Sequence, residues 1–241
     1  VKFQTFSADR LVTPRTKKAP YHALNTASEE THYQMIKKLE LRDSNHKLLK
    51  NYCDNVNIEF LSTPYDVESV DFLEKLGVSQ YKVASADLTD LVLHKRIVLT
   101  KKPTIISVGM STLGEIEETL SIYKNHGHNN IILLQCVSNY PCSSESLNLR
   151  VMNTLRSAFQ VPVGFSDHSV DCEAAIVSVA LGAKVIEKHF TLDKQLKGPD
   201  QKTSSTPDEF ASLVYSIRKA EKILGSPYKY CQNEEKDNLM V

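Results

Sequence analysis

Two histidines and their neighbours carry the chemistry that stands out in this chain. His168 closes the run Gly164-Phe-Ser-Asp-His168, and His189 stands in Glu187-Lys-His-Phe190; each lies beside a carboxylate at the end of a short apolar run. The segment between them, Cys172 to Gly182, is rich in small apolar residues and helical in character. A strand, a crossover helix and a parallel strand would set the two imidazoles side by side at the carboxyl ends of neighbouring strands. Such a pair suits a divalent metal, with the remaining positions left to water and substrate, or acid/base work. Structural zinc asks for four closed ligands and fits less well. A lone histidine is more often a satisfied polar group or a surface residue, so the reading depends on what else reaches the same place.

Other polar residues recur at comparable positions. Short apolar runs end in or near Lys2 and Gln4; Ser62 and Thr63; Lys82, Ser85 and Asp87; Ser107; Ser138 and Tyr140; Ser166; and Glu187. Any one hydroxyl at a strand end reads as a turn or capping residue. Their repetition from unit to unit suits a small, densely charged anion such as a phosphate ester carrying a carboxylate. Lys82 sits between Tyr81 and Val83 in an otherwise apolar run, where a solvated face explains it poorly. For Lys2 the competing reading is an edge position. Cys136 also ends an apolar run, and a buried thiol suits it better than a soft ligand. Asp200, in Gly198-Pro-Asp200, is either a carboxylate above the mouth or part of an ordinary turn.

The elements that must position these groups follow a two-beat rhythm. Strands are expected over Val1–Phe6, Ile58–Thr63, Gln80–Ser85, Pro103–Gly109, Asn130–Val137, Val161–Phe165 and Val185–Phe190, with helical segments between them. Thr112 with Glu115, and Thr206 with Pro207 and Glu209, mark helix starts. Residues Ser7 to Ser28 lack an apolar period and read as a long loop. Strict alternation implies a parallel sheet with helices outside. Seven β units are one short of a (β/α)8 TIM barrel, and the chain opens at Val1 inside a strand-like run, so the first β/α unit is expected upstream. The competing architecture, an open doubly wound sheet, lacks a Gly-x-Gly-x-x-Gly after any strand.

Composition narrows the function classes. The 241 residues are 41% hydrophobic, enough for one large core, and Lys+Arg and Asp+Glu balance at 29 each. That balance gives no nucleic-acid surface and no membrane-attracting face. Five cysteines without a Cys-x-x-Cys pair suit free thiols in a reducing, cytoplasmic setting.

Taken together, Lys2-Phe-Gln-Thr5, Phe60-Leu-Ser-Thr-Pro-Tyr-Asp66, Tyr81-Lys-Val-Ala-Ser85, Ser107-Val-Gly-Met110, Gln135-Cys-Val-Ser-Asn-Tyr-Pro141, Gly164-Phe-Ser-Asp-His168, Glu187-Lys-His-Phe-Thr191 and Gly198-Pro-Asp200 resemble the N-acetylneuraminate (sialic acid) synthase family, which includes legionaminic and pseudaminic acid synthases. The motifs run in order over almost the whole chain. The resemblance implies a barrel enzyme that condenses phosphoenolpyruvate with an N-acetylmannosamine-type sugar and water, releasing phosphate with the help of a divalent metal, Mn2+ or Mg2+. It implies His168 and His189 as metal ligands. Lys2, Ser107, Ser138 and Ser166 correspond to contacts on the phosphate side of phosphoenolpyruvate, and Thr63, Lys82 and Ser85 to contacts on its carboxylate side. Gln4, Asp87, Tyr140, Glu187 and Asp200 would line the sugar side, with Glu187 or Asp200 handling a proton and Lys82 counted with the catalytic groups.

The same resemblance implies that residues 1–226 are strands 2 to 8 of the barrel and that 227–241 begin a linker to a C-terminal antifreeze-like domain. In the family that domain contributes an arginine to a partner subunit, which implies a homodimer. Three departures stand out. A first strand with an Asn-His-rich motif and the C-terminal domain are not in this sequence, and Gln201 stands where many members have histidine. Rival readings are another divalent-metal-dependent barrel aldolase or lyase acting on a phosphorylated or carboxylated small molecule, and a non-catalytic barrel module.

Overall fold

The computed structural model describes residues 1–26 and 29–240. Strand β1 (Lys2–Thr5) leads through α1 (Ala8–Leu11), α2 (Pro20–Asn25), α3 (His32–Leu39) and α4 (Asp43–Asn55) to β2 (Leu61–Pro64). Helix and strand then alternate: α5 (Val67–Leu76), β3 (Tyr81–Val83), α6 (Leu91–Val98), β4 (Thr104–Ser107), α7 (Leu113–Asn125), β5 (Ile131–Cys136), α8 (Val151–Phe159), β6 (Val163–Asp167), α9 (Glu173–Ala180), β7 (Ile186–Lys188) and α10 (Pro207–Leu224). All strand pairs are parallel, β1 with β2 and β3 through β7 in sequence order, and β2 runs beside β3. The sheet curls far enough for Lys2 on β1 to meet Glu187 on β7, with Nζ and Oε2 2.9 Å apart.

Every expected strand is present, but each is shorter than its apolar run or offset from it. β6, for instance, extends to Asp167, which places Ser166 and Asp167 within the ladder. The stretch expected as a continuous loop after β1 contains α1 and α2. Pro20 at the first helical position favours α2, and α1 is a single turn whose Ala8 packs with Met35 and Ile36 of α3. Ala27 and Ser28 lie outside the described residues.

The helices are held on the sheet by their apolar stripes. In α5, Asp66 accepts a hydrogen bond from the Ser69 amide at the start, Val70 and Leu73 are fully buried, and Gly77 closes the helix at φ 79°. Truncating Leu73 to alanine would cost about 2–5 kcal/mol. The capping boxes of α7 and α10 form on Thr112 with Glu115 and on Thr206 with Glu209, as the sequence predicts. Gly164 allows β6 and β7 to close up, because a Cβ there would lie 2.3 Å from the Val185 carbonyl oxygen. All five cysteines are free thiols. No described helix is long and apolar enough to cross a membrane.

Candidate active site

Residues in register on parallel strands share a face, so the pairing decides which side chains meet. Ser166 and Glu187 are in register, and Ser166 Oγ donates to Glu187 Oε1 at 2.7 Å. The other Glu187 oxygen lies 2.9 Å from Lys2 Nζ and 3.7 Å from Lys82 Nζ. Lys82 in turn donates to Ser107 Oγ at 2.7 Å and to the Val83 carbonyl at 2.7 Å. Five strands thus converge on a knot of two ammonium groups, two hydroxyls and one carboxylate. With two cations to one anion, the knot keeps a net positive charge available to an incoming anion.

Burial sets the electrostatics here. Lys82 is 2% exposed, and desolvation lowers its pKa to about 8 against the opposing pull of Glu187. Burial pushes Glu187 up, but Lys82, Lys2 and the hydrogen bonds from Lys2 and Ser166 outweigh it and hold the carboxyl well below its usual range. For Asp87 the pull of Lys82 is too weak to offset burial. Burial, with Asp90 adding repulsion, raises it to about 7, and its Oδ2 is buried without a hydrogen-bond partner among the described residues.

A second ring of donors surrounds Gly109, just past β4. Its amide donates to Ser85 Oγ at 2.9 Å, and a Cβ at this position would stand 2.5 Å from Ser138 Oγ and 3.0 Å from Ser85 Oγ. Glycine is what lets these hydroxyls close over the backbone. Thr63, 1% exposed, has an Oγ1 without a partner among the described residues, which leaves a donor for a ligand. The neighbouring Ser62 turns the other way and bonds Thr5 Oγ1 at 2.7 Å, a group also bonded by His46. Sequence reasoning placed Ser62 with the mouth; the strand's alternation removes it.

The histidines adjoin the charged knot. His168 Nδ1 donates to the Val137 carbonyl at 2.7 Å, which leaves Nε2 as the lone-pair nitrogen, 3.5 Å from Ser166 Oγ. The His168 and His189 rings are 5.6 Å apart between centres, and the Tyr140 ring lies 3.9 Å from the first and 5.2 Å from the second. Asp200 Oδ2 is 3.6 Å from His189 Nδ1, and burial raises its pKa. The loop bearing Asp200 is tied down by Asn25 Nδ2, which donates to the Pro199 carbonyl at 3.0 Å, and by the hydrogen bond of Thr191 Oγ1 to Gln201 Oε1. Desolvation, helped by His168 and Lys2, lowers His189 to about 4. Burial lowers His168 too, but the Cys136 sulfur, 3.7 Å from Nδ1, and the Val137 carbonyl outweigh it and move the ring up.

The chemistry of this donor set fits a divalent metal. A backbone carbonyl that accepts from Nδ1 is the support that metal-ligating histidines use to aim Nε2. Among the described residues no cluster of three or more His, Cys, Asp or Glu is arranged to hold a metal ion. Two imidazoles with open positions match the substrate-accepting type of site rather than a closed structural one.

The sequence-predicted residues fall into three groups. Lys2, Lys82, Ser107, Ser166 and Glu187 form one network; His168, His189, Tyr140 and Asp200 form another, joined to the first at Ser166; Ser85 and Ser138 meet at Gly109. Thr63 and Asp87 keep buried polar atoms unpaired, and Gln4 is exposed at the strand end. Gly109 was missed as a site residue, although a Ser-x-Gly run at the end of an apolar stretch was a readable sign of close backbone approach.

Comparison with known proteins decides the family. The NeuB family profile matches residues 1–229. The chain belongs to the NeuB family. Among curated NeuB-like relatives, the N,N'-diacetyllegionaminic acid synthase of Campylobacter jejuni is 43% identical over 100% of this chain and 73% of its own length. The enzyme of the same name from Legionella pneumophila is 43% identical over 98% of this chain and 67% of its length. In three dimensions, the N-acetylneuraminic acid synthetase of Leptospira borgpetersenii, crystallised with citrate, superposes with a TM-score of 0.84 at 32% identity, covering 99% of this chain and 79% of that one. The resemblance to the N-acetylneuraminate (sialic acid) synthase family read from the strand-end motifs is thereby borne out.

Proposed function

We propose that this chain forms the catalytic barrel of a nonulosonic acid synthase, which joins phosphoenolpyruvate to an N-acylated amino sugar and water and releases phosphate. The observation that carries this reading is the convergence of Lys2, Lys82, Ser107 and Ser166 on one point beside His168 and His189. The ammonium groups, now neutralised in part by Glu187, hold the trianion, and the hydroxyls of Ser85, Ser107, Ser138 and Thr63 fix its orientation. A metal held by His168 and His189, Mn2+ or Mg2+, would act as a Lewis acid on the aldehyde oxygen of the open-chain sugar. C3 of phosphoenolpyruvate then forms the new bond to the aldehyde carbon as the C=O π pair moves onto the aldehyde oxygen, which takes up a proton, and C2 is left cationic. Water adds at C2 and loses a proton, and the adduct breaks its C2–O bond to expel phosphate with the bridging oxygen. Asp87, raised by burial to about 7, suits proton exchange near neutral pH, and burial moves Asp200 in the same direction, whereas Glu187 stays ionised as the counter-ion of the lysines.

The barrel closes, in this reading, through a further strand between β7 and β1, whose facing edges pair with no described strand. The family's C-terminal domain and a homodimer complete the full-length enzyme. Identity to two N,N'-diacetyllegionaminic acid synthases favours a 2,4-diacetamido sugar over N-acetylmannosamine or its 6-phosphate. The test is phosphate release by the full-length protein with phosphoenolpyruvate, Mn2+ and a panel of these sugars. Release dependent on the 2,4-diacetamido sugar is expected; no release with any N-acyl sugar would sink the synthase reading and leave the aldolase or the non-catalytic module.

A further inference from the structure

The face of β6 and β7 opposite the mouth holds a second charged pair that the chemistry above does not use. Asp167 and Lys188 are in register, next in sequence to His168 and His189 respectively. Their side chains are 0% and 3% exposed, and Lys188 Nζ lies 2.8 Å from Asp167 Oδ2. The same ammonium donates to the Ser169 carbonyl at 2.7 Å and to the Asp171 carbonyl at 2.9 Å, which uses all three of its protons. The other Asp167 oxygen accepts from the Ser169 amide at 2.8 Å and from Ser169 Oγ at 2.7 Å. His168 is thus clasped between two residues of one hydrogen-bonded cluster, and the lysine that anchors the cluster is the residue before His189.

A buried ion pair is a poor stabiliser, because desolvating both charges offsets their attraction, and an apolar pair of similar volume often does as well. What such a pair supplies is geometry, since every bond in it is directional and each partner is strongly penalised for leaving. We propose that Lys188 is a positioning residue: its pair with Asp167 and its bonds to the 169–171 turn lock the ends of β6 and β7 together, and so fix the approach of His168 to His189. This rests on the reading of the two histidines as a metal pair. It adds that the spacing is set from outside the mouth, by residues that touch neither metal nor substrate.

The test uses the full-length protein and reads Mn2+ affinity directly, by titration without substrate, alongside the melting temperature. Lys188→Met with Asp167→Leu removes the pair without stranding a charge. The double variant is expected to melt within a few degrees of the parent, yet to bind Mn2+ about 10–100-fold more weakly, the penalty typical of lost support behind a ligand. Asp167→Asn keeps an acceptor for Ser169 and is the milder variant should the double one not fold; its affinity is expected to fall in the same direction. Parent-like Mn2+ affinity in a folded variant overturns the positioning role while the metal reading stands. Absence of Mn2+ binding by the parent overturns both, and His168→Ala, as the variant lacking a ligand, marks what full loss looks like.

Discussion

Two of the molecule's histidine groups, one at each end of the sheet, differ instructively. At the amino ends of β4 and β5, His94 Nδ1 stands 2.8 Å from the Tyr123 hydroxyl, and the Tyr123 and His128 rings are 5.5 Å apart between centres. His94 is 0% exposed, burial lowers its pKa to about 4, and its Nε2 has no hydrogen-bond partner among the described residues. At the carboxyl ends, His189 is lowered to about 4 as well. A depressed histidine and an unpartnered nitrogen therefore do not mark a site by themselves. The company does: a phenol and apolar helix faces around His94, against two ammonium groups, the carboxylates of Glu187 and Asp200 and a cradle of hydroxyls around His168 and His189.

That contrast breaks most sharply under truncation of one ring in each group. His189→Ala is expected to lower metal-dependent phosphate release by more than about 100-fold, beyond the 10–100-fold typical of outer support, with the melting temperature little changed. His94→Ala is expected to do the reverse, costing about 1–3 kcal/mol of stability by removing the buried bond between its Nδ1 and the Tyr123 hydroxyl, and leaving turnover near the parent's. Turnover and melting curves for the two variants settle it; a His94 variant that is folded and inactive would contradict the division.

Within the mouth, Lys82→Met tests whether the charged knot serves the anion. Turnover is expected to drop about 100–1000-fold, as for loss of one preorganised donor, with a rise in KM for phosphoenolpyruvate. Loss of sugar affinity alone would place the lysine on the wrong substrate.

The smallest effect separates the groups by pH. The unfolded His94 ring titrates near 6.5 and the folded one near 4, so between these values the unfolded chain binds more protons and stability is lost as pH falls. A shift of this size amounts to about 3 kcal/mol at most. Urea melts at pH 7 and pH 4.5 should show that loss, and His94→Gln should remove His94's share of it; an unchanged pH dependence in the variant would take the effect away from His94.

Much of this is legible in the sequence alone. Lys82 betrayed itself as a charge inside an apolar strand, and the capping residues of α7 and α10 stood at helical spacing before their apolar stripes. What escaped depended on facing and register, which tertiary pairing decides. Ser62 and Lys188 sit at strand ends as plausible mouth residues, yet the alternation of β2 and β7 turns both outward. Gln201 stands where many family members have histidine, and its side chain is engaged by Thr191. Helix α1 left little trace because its single turn is held by Ala8 packing against α3, a contact between residues far apart in the chain.

The central claim is that the mouth makes a carbon–carbon bond and releases phosphate by breaking the C2–O bond. Phosphoenolpyruvate labelled with oxygen-18 at the bridging position, turned over with Mn2+ and a 2,4-diacetamido sugar, tests it in one mass spectrum. The label is expected wholly in the released phosphate, with a water oxygen at C2 of the new acid. Unlabelled phosphate beside labelled pyruvate would show cleavage at phosphorus without condensation, and would contradict the account.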